Sequence, residues 1–124
     1  MLADFNIFFI DTNIFLRVLI RENEKVLAEC LAFLELVKNN KITAYTNSLV
    51  LAEIDWVMES VYKIKKESVI EDLKSIVKLK GLRFYEECDY LLAVQLYEQY
   101  NIKFIDALIA ANRLIQKQQA IIVS

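Results

Sequence analysis

The stretch Asn6-Ile-Phe-Phe-Ile10-Asp11-Thr12-Asn13 decides the fold. Its apolar run, Ile7–Ile10, is short, rich in β-branched and aromatic residues, and free of polar alternation. That is the pattern of a central parallel strand buried on both faces. Asp11 stands at its carboxyl end, and Thr12 and Asn13 can cap an apolar helix running through about Ile20. Farther along, Glu24–Lys38 places Leu27, Leu31, Leu34 and Val37 on one helical face, ended by Asn39 and Asn40. Lys41–Thr46 reads as a second strand, Asn47 or Ser48 as a cap, and Leu49–Ile64 as a helix carrying Val50, Ile54, Val57 and Val61. Lys66–Lys80 is a further amphipathic helix, closed by Gly81 and followed by the short strand Leu82–Phe84. Helices are predicted over Glu87–Tyr100 and Phe104–Gln118, and Ala120–Val123 opens another strand. Strands alternating with helices imply an α/β fold with a parallel sheet.

Composition bounds what such a fold can do. The chain has 124 residues, of which 56% are hydrophobic, enough for one domain with a real core over 1–124. With no proline and no low-complexity tract, no linker divides it. No run of about eighteen uncharged apolar residues exists, so neither a bilayer span nor a signal peptide is expected and a cytoplasmic location is. Cys30 and Cys88 lack partners for a zinc site or a disulfide framework and read as reduced, packed thiols. The absence of histidine excludes imidazole-based triads, bases and metal ligands. A single glycine, Gly81, excludes phosphate-cradling glycine loops and with them the usual nucleotide cofactors. The net charge is −2. Seven basic and three acidic residues make Lys63–Arg83 a +4 segment, which leaves −6 for the remainder. Those lysines are read first as solubilising helix surface, not as a nucleic-acid coat.

Carboxylates are therefore the candidates for chemistry. In open parallel sheets ligands collect beyond the carboxyl ends of the strands, and Asp11, Glu53 and Asp106 all map there. Three such groups brought close raise one another's pKa and need a cation; Mg2+ or Mn2+, hard and oxygen-seeking, suits them. A cation so held promotes phosphodiester hydrolysis without histidine. Taken singly, each acid has a plainer role: Asp11 as a helix cap, Glu53 as a solvated side chain, Asp106 beside a helix dipole. Jointly those roles weaken, because Asp106 lies in Phe104-Ile-Asp-Ala-Leu-Ile-Ala-Ala, expected to be a buried surface where an unpartnered carboxylate is costly. Asp55, about 200° around the helix from Glu53, is assigned a surface or supporting role. Arg17 reads as equally a phosphate contact or an exposed side chain. Trp56 and the tyrosines are expected in core or dimer packing more than in base stacking.

Ile10-Asp-Thr-Asn-Ile-Phe-Leu-Arg17 closely resembles the opening motif of PIN-domain nucleases, particularly VapC-type toxin ribonucleases. Leu51-Ala-Glu53-Ile matches that family's second acidic position, and Phe104-Ile-Asp106-Ala-Leu-Ile-Ala-Ala-Asn112 its third. The resemblance implies a three-layer fold with sheet order 3-2-1-4-5 and a Mg2+- or Mn2+-dependent endoribonuclease acting on RNA. It also implies an antitoxin protein as partner and, frequently, a homodimer. Asp11, Glu53 and Asp106 would hold the metal, with Thr12, Asn13 or Ser124 in support. The family commonly follows its fourth strand with Ser or Thr, one residue and another aspartate; this sequence ends at Ser124, without that aspartate or strand 5. It is therefore expected to be shortened or truncated at its carboxyl end. The alternatives are a catalytically silent PIN fold that binds protein or RNA, and a haloacid-dehalogenase-like phosphatase, although Asp11-Thr-Asn13 lacks the second aspartate of that motif.

Overall fold

The structure, a computed structural model, describes residues 7–86 and 88–118. They form two compact units: residues up to Ile54 with Leu79–Tyr85, and Asp55–Lys78 with the residues from Glu86 onward.

The first unit holds the sheet. Strands β1 (Ile7–Phe9), β2 (Thr43–Thr46) and β3 (Leu82–Phe84) are all parallel. The register pairs Ile7 with Thr43 and Phe9 with Tyr45 on one side of β2, and Ala44 with Leu82 and Thr46 with Phe84 on the other. The spatial order 3-2-1 is the first half of the expected 3-2-1-4-5 sheet. The fourth strand expected over Ala120–Val123, and Ser124, lie outside the described residues. Parallel pairing requires crossovers, and helices supply them. Helices α1 (Thr12–Ile20) and α2 (Glu24–Lys38) connect β1 to β2, and α3 (Ser48–Ser60) and α4 (Lys66–Val77) connect β2 to β3.

The expected burial of β1 on both faces is not what the structure shows. Ile7, Phe8 and Phe9 are all exposed, because among the described strands β1 has a neighbour only in β2. The centre is β2, whose Ala44 and Thr46 are fully buried while Thr43 and Tyr45 are half-buried. On the buried side, Phe8 meets Phe33 of α2 edge-on at 5.6 Å, a favoured aromatic geometry. The first helix is capped by Asp11 and not by Thr12 or Asn13: the Asp11 side chain accepts from Thr12 N. Within α2, Val37 and Cys30 are buried, Leu27 and Leu34 are half-buried, and Leu31 turns outward. In α3, Val50, Leu51, Ile54 and Met58 are buried, whereas Trp56, expected in core or dimer packing, is 63% exposed and so not in the core.

Gly81, the chain's one glycine, enters β3 at φ +88°, where a Cβ would stand 2.1 Å from the Val37 carbonyl oxygen. Both the left-handed backbone and the close approach to α2 demand glycine here. Gly81→Ala should lower stability by roughly 2–4 kcal/mol, from backbone strain added to steric overlap. The urea unfolding midpoint checks this.

In the second unit, α4 is joined by α5 (Tyr90–Gln99), α6 (Phe104–Ala110) and α7 (Arg113–Lys117). The single helix predicted over Phe104–Gln118 is broken. Ala111 closes α6, its carbonyl accepts from Asp89 N at 3.0 Å, and Asn112 forms a bridge with Cys88, so the backbone there serves partners outside the helix. The helix expected from Glu87 begins at Tyr90, with Asp89 as its side-chain cap to Leu92 N. Both cysteines are free and buried, as the sequence suggested. Burial, with the nearby acids Glu86 and Asp89, pushes the Cys88 thiol up to about 11, so it is an unreactive packing group.

Asp55, expected in a surface or supporting role, is half-buried in this unit and engaged by a neighbouring side chain. The Tyr97 hydroxyl oxygen is 2.8 Å from Asp55 Oδ1 and 2.7 Å from Glu59 Oε2, and Lys66 Nζ sits 4.2 Å from the centre of the Tyr97 ring. A phenol carries one proton and can donate to one carboxylate only, so the second short contact requires a proton on a carboxyl group. Burial, reinforced by the hydrogen-bonded Glu59, pushes Asp55 up to about 7. A carboxyl raised in the folded state binds its proton more tightly than in the unfolded chain, where 3.8 applies. The associated stability is therefore present below pH 3.8 and lost as pH rises through about 7. Stability should fall across that window by on the order of 1–2 kcal/mol, allowing for solvent screening. Asp55→Asn should flatten the slope in urea titrations run at successive pH values.

Candidate active site

The chain leaves β1 through Ile10, which is 1% exposed. Ile10 N donates to Tyr45 O at 2.7 Å, and Ile10 O accepts from Thr46 Oγ1 at 3.0 Å. Both polar groups of Ile10 are thus satisfied by β2 at a buried position. The next residue, Asp11, adopts the extended conformation (φ −84°, ψ 167°) and initiates α1, its Oδ1 accepting from Thr12 N at 2.8 Å. Its direction is consequently set by the end of the β1–β2 ladder together with the first turn of the helix.

A parallel construction follows β2. Asn47 accepts from Val50 N at 3.0 Å through its side-chain oxygen and so starts α3. Glu53 lies in the second turn of that helix. An open cavity of about 210 Å3 at the carboxyl ends of these two strands is lined by Phe9, Asp11, Thr12, Asn47, Val50 and Glu53, with Leu49 at its side. Asp11 and Glu53 are both exposed there. The structure therefore brings together two of the three carboxylates singled out in the sequence.

Asp106 belongs to the second unit, in the first turn of α6. The expectation that it lies in a buried surface is corrected. Phe104, Ala107, Leu108 and Ala111 are buried, but Ile105 and Ile109 are 47% and 42% exposed, and Asp106 shares their exposed side. The desolvation cost expected for a carboxylate at this position does not arise. Among the described residues, no group of three or more acidic, cysteine or histidine side chains is gathered for a metal. Thr12, expected in support, is buried against Asp11, whereas Asn13 is exposed in the first turn of α1, as is Arg17 farther along. Asn47 was assigned only a capping role from sequence; its place on the cavity depends on where β2 ends, which composition does not encode.

The sequence matches the PIN domain family over residues 8–121. The chain belongs to the PIN domain family. No curated protein matches it. PIN domains are generally nucleases, and their activity typically uses divalent metal ions, which supports an enzyme that hydrolyses nucleic acid. The cavity of this PIN domain fits such an ion in donor chemistry. Asp11, Glu53 and Asn47 offer oxygen ligands only, the set a hard cation takes, and Mg2+ in particular is often held by one or two carboxylates with water and phosphate completing the shell. Among the described residues no helix is long and apolar enough to cross a membrane.

Thr46 is the hinge of this geometry, fully buried and spent on the Ile10 carbonyl. Thr46→Val preserves shape but leaves that carbonyl with one partner fewer, at a cost of about 1–2 kcal/mol; Thr46→Ser should recover most of it. Thermal unfolding of the two variants beside the parent measures the difference.

Proposed function

We propose that this PIN domain is a divalent-metal-dependent endoribonuclease, the toxin of a toxin–antitoxin pair, acting as a single domain over 1–124. Mg2+ or Mn2+ would be held by Asp11 and Glu53, and the family resemblance names Asp106 as the third carboxylate. The observation that carries this reading is the meeting of Asp11 and Glu53 in one cavity at the carboxyl ends of β1 and β2. When bound, such a cation lowers the pKa of a coordinated water and offsets charge on the departing oxygen of a phosphodiester.

The chain's own groups supply position. The Thr12 amide fixes one oxygen of Asp11, and because a carboxylate has about four acceptor sites, one such bond leaves acceptor capacity for a ligand. Glu53 is carried on a helix whose start is fixed by the Asn47 cap, so its backbone does not depend on a flexible loop. The resemblance of Ile10-Asp-Thr-Asn-Ile-Phe-Leu-Arg17 to toxin ribonucleases supports RNA as the substrate. The same resemblance supports a cytoplasmic setting, an antitoxin that covers the site, and a homodimer.

Incubation of the chain with single-stranded RNA in Mn2+ or Mg2+ should give internal cleavage that EDTA abolishes. Asp11→Asn, which keeps a good helix cap, and Glu53→Gln should each reduce the rate by roughly 100-fold or more, with Asp106→Asn in the same range. Cleavage that persists unchanged in Asp11→Asn contradicts the assignment. An inert chain that still binds RNA or a protein partner would favour a catalytically silent PIN fold.

A further inference from the structure

A second feature of the sheet unit has no role in holding a metal. The register pairs Phe9 with Tyr45 and Tyr45 with Arg83, and strand side chains alternate between faces. Phe9, Tyr45, Arg83 and Tyr85 therefore share one face of the sheet, opposite the fully buried Ala44 and Thr46. On that face the Tyr45 and Tyr85 rings stack with centroids 4.5 Å apart and 15° between planes, and Phe9 and Tyr85 follow at 6.2 Å and 19°. Tyr85, the residue after β3, thus stacks with rings from both β1 and β2, all three nearly parallel.

This stack is not core. Phe9 is 47% and Tyr85 63% exposed, although Tyr85 is held at its backbone by the bond from its N–H to Thr46 O. An exposed group of stacked aromatic rings marks a binding surface more than a packing one. Its chemistry selects the occupant. Flat rings presented face-on match the π-face of a nucleobase, which every base has, and Arg83, on the same face, supplies a cation for the adjoining phosphate. Phe9 also lines the cavity that contains Asp11 and Glu53. Strand alternation puts Phe9 and Asp11 on the same side, about 7 Å apart along the chain from the rise of extended backbone.

We infer that Phe9, Tyr45 and Tyr85 form a stacking platform for an unpaired base of a single-stranded nucleic acid, beside the phosphate that Asp11 and Glu53 address. The placement of that phosphate rests on the nuclease reading; the stacking itself does not. A base stacked on the exposed part of this group would fix the strand's register relative to the carboxylates, and duplexes, whose bases are already stacked, would bind less well.

The test measures anisotropy of a labelled short oligouridine RNA against the full chain in EDTA, where no cleavage occurs. Tyr85→Ala should weaken binding roughly 5- to 100-fold, the range of one base–aromatic stack, while Tyr85→Phe and Tyr85→Trp stay near the parent. With the unaltered protein, an oligonucleotide of the same length carrying abasic residues should bind correspondingly less. Equal binding of the abasic strand, or a Tyr85→Ala chain that binds RNA like the parent, overturns the proposal. It is also overturned if Tyr85→Ala changes only the oligomeric state in sedimentation, since the face would then belong to a protein contact. A parallel cleavage assay in Mn2+ separates the two readings. Base-dependent binding in EDTA without cleavage in Mn2+ supports the platform and counts against the nuclease alone; cleavage indifferent to Tyr85→Ala counts against the platform alone.

Discussion

Everything at the candidate active site depends on how the end of β1 is tied to β2. Ile10 donates its N–H to Tyr45 O and its carbonyl accepts from the Thr46 hydroxyl, so both backbone groups are tied before the chain turns into α1. A buried backbone group without a partner would cost on the order of 1–3 kcal/mol, and both are satisfied by the strand whose own end launches α3. The two carboxylates thereby inherit their separation from sheet register and not from loop conformation. This suits the proposed site, which would hold two like charges near each other for a cation.

Much of this was legible in the residues, for identifiable reasons. The unalternated run Ile7–Ile10 marked a strand, Asp11 its end, and the order of strands and helices the parallel topology. Boundaries were clear where a capping side chain or a turn residue was present, as at Asn47, at Asn39 and Asn40, and at Gly81. They were misplaced where backbone partners distant in sequence intervened. The break at Ala111 arises because its carbonyl bonds Asp89, and nothing in the apolar pattern of Phe104–Gln118 reports that. The burial of β1 was overestimated because periodicity describes a strand's own residues and not whether neighbours flank it.

The acids show the same division. That Asp11 and Glu53 would come to one end of the sheet was legible from their positions relative to predicted strand and helix starts. The contact of the half-buried Asp55 was not, since its partner Tyr97 is distant in sequence and the link between them is tertiary. Asp106 was singled out through an apolar context that proved only half buried, which shows that a run of hydrophobic letters can conceal a two-sided helix. The aromatic stack is a third case: Phe9 and Tyr45 are ordinary strand residues and Tyr85 simply follows β3, until the fold brings their rings together.

The sheet unit is discontinuous in sequence, with β3 arriving only after the chain has passed through Asp55–Lys78. During synthesis, the β2 edge that β3 will occupy must wait without its hydrogen-bond partners, and the pocket for Gly81 against Val37 stays unfilled. An unpaired parallel edge invites association with other chains. The ribosome therefore releases a window of vulnerability that closes when Leu82–Phe84 emerges, and the helix-rich stretch preceding it, able to form local structure early, shortens the effective loop that must be closed.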